Sequence, residues 1–228
     1  MIFKRREKKY LLNTEEKNRF LSMIGQRLLP DNYGKNTICS LYLDTPDYVL
    51  IRNSIEAVSY KEKLRMRSYG APGDKPIFFE IKKKYKGVVY KRRVSMGLDE
   101  AFEYIEGGVA PMDTQIMREI DYLMKFYRNP KPDICILCER EAFFLAENAD
   151  VRLTFDENLR YRHGFPSEEN INDGIPIVND GEYILEIKTP GAMPLWLAQA
   201  LSECKIYPRS FSKYAHAYYD IINKRERD

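Results

Sequence analysis

The sequence predicts an α+β fold, namely an eight-stranded antiparallel β-barrel with helices packed outside it, in a single domain over residues 1–228. Three observations predict this fold. Segments of alternating polarity indicate eight strands, and eight strands close a small antiparallel barrel. Amphipathic stretches between the strands indicate helices that need an apolar surface to cover. The 228 residues contain no internal repeat or low-complexity linker that would divide them.

The strands are predicted where apolar and polar residues alternate between turn signals. In chain order the predicted strands are about 3–12, 37–44, 56–69, 76–85, 88–95, 133–146, 150–162 and 181–188. Turn residues at Gly70–Pro76 and Lys86–Gly87 separate the third, fourth and fifth strands. The predicted helices are 14–28, about 46–53, 97–107, 113–128, about 193–203 and 210–224. Residues 164–181, rich in Gly, Pro, Asn and acids, are predicted to form an exposed excursion.

The net charge of the chain conceals a polarised distribution. The formal net charge is +3, from 37 basic and 34 acidic residues. Residues 1–95 hold 22 basic against 10 acidic residues, a balance of +12, whereas residues 96–228 hold 15 against 24, a balance of −9. A total near neutrality therefore does not argue against an anionic partner.

Several classes of protein are excluded by composition. No apolar run reaches the length of roughly 20 residues that a bilayer span needs, and the N-terminal residues lack the apolar core of a signal peptide. We therefore expect a cytoplasmic protein. The four cysteines include one C-x-x-C pair, Cys135 and Cys138. A zinc or redox role is disfavoured because a second ligand pair is missing and strand alternation points the two thiols to opposite faces.

Charged residues follow strand parity in nearly every predicted strand, so that each strand has one charged face. In the third strand, Lys61, Lys63, Arg65 and Arg67 are predicted on one face, and Leu64 and Met66 on the other. The other in-phase charges are Arg5, Glu7 and Lys9; Glu80, Lys82 and Lys84; Lys91 and Arg93; Arg140; Arg152 and Asp156; and Glu186 and Lys188. For any one strand, the alternative is that this face is the solvated side of a half-buried sheet.

The predicted helices instead favour charged faces that point into the barrel. If they cover the apolar outside of a closed barrel, the charged face must point into the lumen. A lumen lined by about ten cations and a few carboxylates cannot stay empty, because uncompensated buried charges are costly. The occupant that fits is a polyanion with many oxygens, such as a phosphate chain, with a divalent metal held by the minority carboxylates.

A series of short motifs, in order along the chain, resembles the VTC domain, the polyphosphate polymerase branch of the triphosphate tunnel metalloenzymes. The motifs are R-x-E-x-K-Y-L (5–11), SLYLDT (40–45), K-x-R-x-R (63–67), EIKKK (80–84), KRR (91–93), EREAF (139–143), LEIK (185–188) and FSKY (211–214). This resemblance implies an eight-stranded triphosphate tunnel and a metal-dependent reaction on a triphosphate or polyphosphate. The first motif begins with Arg5 where the wider superfamily has glutamate, which removes one potential metal ligand and agrees with the polymerase branch.

The resemblance also implies roles for individual residues. Those expected to be catalytic are Arg65, Arg67, Lys82, Arg140 and Glu186, with Glu186 as the metal ligand. Those expected to bind substrate are Lys9, Lys63, Lys91, Arg93, Arg152, Lys188, Ser212 and Lys213. Ser212 and Lys213 match the family's Ser-Lys pair at the start of its last helix, where backbone N–H groups favour an anion. From the residues alone, Ser212 is equally well explained as a helix N-cap.

The implied function is a polyphosphate polymerase that transfers the γ-phosphate of ATP to a growing inorganic polyphosphate chain with Mn²⁺ or Mg²⁺. One alternative is a tunnel triphosphatase that hydrolyses inorganic or nucleoside triphosphate. Another is a non-catalytic module that binds polyphosphate or inositol phosphates. Nucleic acid is not an expected partner, because the basic residues follow strand parity instead of a helix stripe. Movement of product across a membrane would need a separate membrane protein.

Overall fold

The computed structural model describes residues 6–56, 59–73, 75–86 and 88–225. Arg5 of the first motif, and Asp74 and Gly87 of the predicted turns, lie outside the described residues. Within the described part of the chain, all six predicted helices and all eight predicted strands are found, together with two further short strands. None of the helices in those residues has the length and hydropathy needed to cross a bilayer.

The bounds of the elements lie close to the predicted ones. The strands are β1 (Arg6–Asn13), β2 (Leu28–Pro30), β3 (Asn36–Asp44), β4 (Tyr60–Tyr69), β5 (Ile77–Tyr85), β6 (Val88–Met96), β7 (Lys131–Leu145), β8 (Asn148–His163), β9 (Ile175–Pro176) and β10 (Glu182–Thr189). The helices are α1 (Thr14–Ile24), α2 (Val49–Ile55), α3 (Leu98–Ile105), α4 (Gln115–Phe126), α5 (Leu195–Glu203) and α6 (Lys213–Arg225). The first helix ends earlier than predicted, because the chain continues as a 3₁₀ turn at Gly25–Arg27 and then enters β2.

The eight main strands follow the order β1-β10-β8-β7-β3-β4-β5-β6, and β2 and β9 pair with β7 and β8. The pairs β1–β10, β10–β8, β3–β4, β4–β5 and β5–β6 are all antiparallel. The predicted α+β class with an antiparallel sheet of eight strands is thereby confirmed.

The chain divides into two compact units. Unit 1 comprises the described residues within 1–37, 138–160 and 176–212, and unit 2 comprises those within 38–137, 161–175 and 213–228. Each unit has its own hydrophobic core. The assignment of residues 1–228 to a single domain stays a prediction.

In unit 1, α1 and α5 pack on the apolar face of β1, β8 and β10. Asn13 caps α1 in a capping box with Glu16, which satisfies two of the backbone N–H groups left unpaired where a helix begins. The core combines side chains of both helices with residues of one strand parity, namely Tyr10, Leu12, Phe20, Ile24, Leu153, Leu185, Ile187, Leu197 and Leu201. The residues of the opposite parity in β1 and β10 therefore lie on the other face of this part of the sheet.

In unit 2, α3 and α4 cover the apolar face of β4 and β5. Leu64, Met66, Phe79 and Ile81 are all fully buried in this core. The side chains that the helices contribute include Tyr104, Met117, Ile120, Leu123 and Met124. Because successive strand residues alternate between faces, this packing leaves Arg65, Arg67, Glu80 and Lys82 on the opposite face, as the sequence predicts.

Candidate functional site

The structure brings seven of the predicted site residues together in two clusters, one in each unit. In unit 2, three basic residues and two hydroxyl groups surround a buried carboxylate; we call Ser40, Tyr42, Arg65, Arg67, Glu80 and Lys91 the Glu80 cluster. In unit 1, a second set surrounds another buried carboxylate; we call Glu7, Lys9, Arg140, Asp156, Glu186 and Lys188 the Glu186 cluster. Each cluster is described separately below.

Glu80 is the centre of the first cluster and is only 1% exposed. Its Oε2 accepts hydrogen bonds from Arg65, with Nε and Nη2 both at 2.8 Å, and lies 4.0 Å from Nη1 of Arg67. Its Oε1 forms an ion pair with Nζ of Lys91 at 2.6 Å. The antiparallel register produces this arrangement, because Glu80 lies opposite Arg65 on one side and opposite Arg93 on the other.

The two arginines are also held from β3. Arg65 Nη1 donates to the hydroxyl of Tyr42 at 3.1 Å, and Arg67 Nε donates to Oγ of Ser40 at 3.2 Å. These contacts follow the register, in which Ser40 lies opposite Arg67 and Tyr42 opposite Arg65. Both guanidinium groups are therefore oriented before any ligand arrives, which lowers the entropy cost of binding an anion.

Burial and the surrounding charges shift the pKa values of three members of the Glu80 cluster. Burial by itself raises the pKa of Glu80, but Arg65, Arg67 and Lys91 outweigh it and lower the pKa to about 2. Burial likewise raises the pKa of Tyr42, but the charges of Arg65, Lys63 and Arg67 outweigh that effect and lower it to about 7. For Lys91, burial is the largest influence and lowers the pKa to about 8, against the opposing attraction of Glu80.

Arg140 and Asp156 form the most buried ion pair of the Glu186 cluster. Asp156 is fully buried and binds Arg140 through both oxygens, with Nη2 to Oδ2 at 2.7 Å. The same arginine lies 3.9 Å from Oε2 of Glu186. This bidentate pairing fixes the plane of the guanidinium beside Glu186 and keeps Arg140 charged.

Glu186 lies between two lysines from neighbouring strand positions. Its Oε1 is 3.4 Å from Nζ of Lys9, and its Oε2 is 3.3 Å from Nζ of Lys188. Glu7 contacts the same two lysines, at 3.7 Å and 3.9 Å. The register places Lys9 opposite Glu186 and Glu7 opposite Lys188, so that charges of opposite sign alternate across the β1–β10 pair.

The oxygen donors of this cluster fit a hard divalent cation. Among the described residues, no group of three or more His, Cys, Asp or Glu side chains could hold a metal ion by themselves. Mg²⁺ is commonly bound through one or two carboxylates, with substrate phosphates and water completing its shell. Glu186, with Glu7 beside it, supplies that number of carboxylates, and the cations around them would attract the phosphates.

Lys63, Lys82 and Arg93, three further predicted site residues, lie on the same face of the sheet as the Glu80 cluster but outside it. Lys63, Lys82 and Lys91 lie opposite one another across β4, β5 and β6. The guanidinium of Arg93 lies over the ring of Phe78, 4.4 Å from its centroid. Lys63, Lys82 and Arg93 therefore extend the cationic face of unit 2 beyond the Glu80 cluster.

Arg152, Ser212 and Lys213 lie outside the two clusters. Arg152 is opposite Lys188 in the register. Its Nη2 is 3.6 Å from Asp31, which neutralises part of the arginine's charge. Ser212 is the last residue of its segment of unit 1, whereas Lys213 is in unit 2 as the first residue of α6. The roles predicted for these three residues stay predictions.

Sequence reasoning missed the functions of the buried carboxylates. It placed Glu80 and Asp156 on the charged faces, but it gave the carboxylates there only the role of holding a metal and expected a phosphate chain to neutralise the cations. Glu80 and Asp156 instead partly neutralise the arginines and orient them, because a buried guanidinium needs a local counter-charge. The signal was present, since both carboxylates are in phase with the basic residues of their strands.

Tyr42 and Ser40 were also missed as neighbours of the arginines. Both lie within the SLYLDT segment, and both have the strand parity of the charged face. That parity could have identified them. The pairing register between β3 and β4 could not be derived from the sequence, so their partners were not predictable.

Comparisons with known proteins agree with this fold. The VTC domain family matches residues 4–221. A solved structure of a proposed adenylate cyclase from Bacillus halodurans has a TM-score of 0.58 and 16% identity, covering 92% of this chain and 94% of that one. A proposed adenylyl cyclase from Hippeastrum, reported to have a dominant triphosphatase activity, has a TM-score of 0.52 and 14% identity, with 92% of both chains covered. A proposed adenylate cyclase from Vibrio parahaemolyticus has a TM-score of 0.52 and 12% identity, covering 96% of this chain and 99% of that one. A search of curated proteins finds no match.

Proposed function

Because the chain belongs to the VTC domain family, we propose that it is a metal-dependent phosphotransferase that moves the γ-phosphoryl group of ATP to the end of an inorganic polyphosphate chain. The observation that carries this proposal is the pre-oriented arginine pair of the Glu80 cluster, together with the lysines and arginine around Glu186. Both sets of cations offer N–H donors to phosphate oxygens, and each is anchored on a buried carboxylate.

The proposed reaction needs no protein nucleophile. A terminal oxygen of the polyphosphate chain attacks the γ-phosphorus of ATP, the bond from that phosphorus to the β,γ-bridging oxygen breaks, and ADP leaves with the bond's electrons. Charge spreads over the oxygens of the transferred group, so fixed donors lower the barrier. Arg65, Arg67 and Arg140 suit this role, because their carboxylate partners hold them in place while the reaction proceeds.

We assign the metal to Glu186, with Mn²⁺ or Mg²⁺ as the candidates. A divalent cation there would neutralise phosphate charge and polarise the transferred group. Lys9 and Lys188 would keep the Glu186 side chain oriented and would bind phosphate oxygens that approach it. Arg140, whose Nη2 is 3.9 Å from Oε2 of Glu186, would do the same.

Incubation of the purified protein with ATP and Mn²⁺, followed by gel electrophoresis of the products, tests the reaction. We expect a ladder of polyphosphate chains and an equivalent release of ADP. Orthophosphate without a ladder would instead identify a triphosphatase, an activity reported for the structural neighbour from Hippeastrum. Tight binding of polyphosphate with no turnover would identify a binding module.

The affinity for tripolyphosphate is expected to fall as the pH rises from about 7 to about 9, by about 10-fold or more. Tyr42, with its pKa lowered to about 7, gains a negative charge over this range. Lys91, with its pKa lowered to about 8, loses a positive charge. Both changes make the Glu80 cluster less positive, and calorimetric titration at a series of pH values measures the result.

The variant Tyr42→Phe separates the two contributions. It cannot form a phenolate, so the fall in affinity should begin near the pKa of Lys91, at about 8, instead of near 7. The ionisation of tripolyphosphate itself is the same in both titrations and cancels in the comparison. Identical pH profiles for the variant and the natural protein would contradict this explanation.

A further inference from the structure

A line of side-chain contacts in unit 2 connects the first turn of α6 to Arg65. The Tyr214 hydroxyl donates to Oδ2 of Asp44 at 2.9 Å. The Tyr214 ring stacks on the Tyr42 ring, with centroids 4.3 Å apart and planes 15° from parallel. The Tyr42 hydroxyl in turn accepts the hydrogen bond from Arg65. Tyr214 and Tyr42 are only 2% and 7% exposed, so the line runs through the interior.

Asp44, which anchors this line, is itself immobilised. It is the last residue of β3, and its two oxygens accept the backbone N–H groups of Leu50 and Ile51, each at 2.9 Å, in the first turn of α2. Its Oδ1 also accepts the N–H of Thr45. A buried carboxylate with this many fixed donors holds one position, so the Tyr214 hydroxyl has a rigid acceptor.

The contact between Tyr214 and Asp44 lies at the start of α6. Tyr214 directly follows Lys213, the first residue of α6, so the contact with Asp44 fixes the start of that helix. The stacked ring limits where Tyr42 can lie, and Tyr42 supplies one of the contacts that orient Arg65. The positions of Lys213 in α6 and of Arg65 in β4 therefore both depend on Tyr214.

We propose that Tyr214 is a positioning residue that couples the start of α6, and with it Lys213, to the orientation of Arg65. It does this through Asp44 and Tyr42 and does not touch the substrate. The inference rests on the proposed function, because it takes Lys213 and Arg65 to bind phosphate groups of the substrate.

A double-mutant cycle on tripolyphosphate affinity, measured by calorimetry, tests the coupling. Tyr214→Phe removes the hydroxyl and keeps the ring, and it should weaken binding by about 2- to 10-fold, the range for a single hydrogen bond. In an Arg65→Lys background the same change should have a smaller effect, because only its influence on Lys213 remains. In a Lys9→Ala background, in unit 1, its effect should persist in full.

Tyr104→Phe is the matched control. Its hydroxyl also contacts a carboxylate, Asp121, but it lies in the helical layer of the core, away from the charged face. Its removal should leave tripolyphosphate affinity unchanged. Urea denaturation of each variant shows whether it is folded at the temperature of the titration.

A second cycle tests the coupling with Tyr214 intact. Lys213→Ala combined with Arg65→Lys should depart from additivity by at least about 2-fold in the natural protein and become additive in Tyr42→Phe, which breaks the line. Equal effects of Tyr214→Phe in both backgrounds, or additivity of Lys213→Ala and Arg65→Lys, would overturn the inference. The proposed function fails separately, if the natural protein does not bind tripolyphosphate or if Arg65→Lys and Lys9→Ala both bind it unchanged.

Discussion

Replacing Glu186 with glutamine is expected to lower ATP turnover by about 100- to 1000-fold, while tripolyphosphate binding stays the same or becomes tighter. The amide removes the negative charge to which we assign the metal. It also frees Lys9 and Lys188 from an ion pair, which leaves both ammonium groups more available to phosphate. Turnover is measured as ADP release with Mn²⁺, and binding by calorimetry without metal.

The experiment is decisive because turnover is expected to fall while binding is not. A protein that only binds polyphosphate has no turnover to lose, and a structural role for Glu186 would weaken binding and turnover together. Glu147→Gln is the matched control in unit 1, because Glu147 pairs at the surface with Arg27 and lies outside both clusters. Full turnover by Glu186→Gln would refute its assignment as the metal ligand.

Glu80→Gln is expected to lower the free energy of unfolding by about 3–5 kcal/mol at pH 7, the usual cost of leaving buried charges without their partner. Arg65 and Lys91 both form ion pairs with Glu80, and Arg67 lies close to it. The variant would leave these cations facing one another without the carboxylate. Urea denaturation of the two proteins measures the difference.

The difference in stability between the natural protein and Glu80→Gln should depend on pH through the ionisation of Glu80. The pKa of Glu80 falls from its ordinary value of 4.5 to about 2 in the folded protein. Its contribution to stability is therefore fully present above about pH 4.5 and is lost as the pH falls to about 2. The stabilities of the two proteins should converge over this range. Glu119→Gln, which removes a more exposed partner of Arg92, should change stability by less than about 0.5 kcal/mol.

Much of the fold could be predicted because its signals are local. Alternating polarity identified β4 and β5 and told which face of each carries Arg65 and Glu80, since successive strand residues point to opposite sides. The apolar stripe of α4 identified a helix that must cover the other face, as Ile120 and Leu123 do. The motifs of the VTC domain then related these charged faces to phosphate chemistry.

The partners of the charged groups could not be predicted from the sequence. Nothing near Glu80 in the sequence tells that it lies opposite both Arg65 and Arg93, because the register of antiparallel strands depends on hairpin lengths and on packing. The contact between Tyr214 and Asp44 joins residues 170 positions apart. Such contacts arise only when the whole sheet and its helices are assembled.

The sequence by itself determined the strands with one cationic face, the helical stretches with their apolar stripes and the motif order of the VTC domain, because each of these is a pattern of neighbouring residues. Only the tertiary structure decided which carboxylate serves each cation. Glu80 orients an arginine pair, Asp156 holds Arg140, and Glu186 stands between two lysines. The physical reason is that a buried charge is tolerated only with an opposite charge in contact, and contact between distant residues is a property of the folded chain.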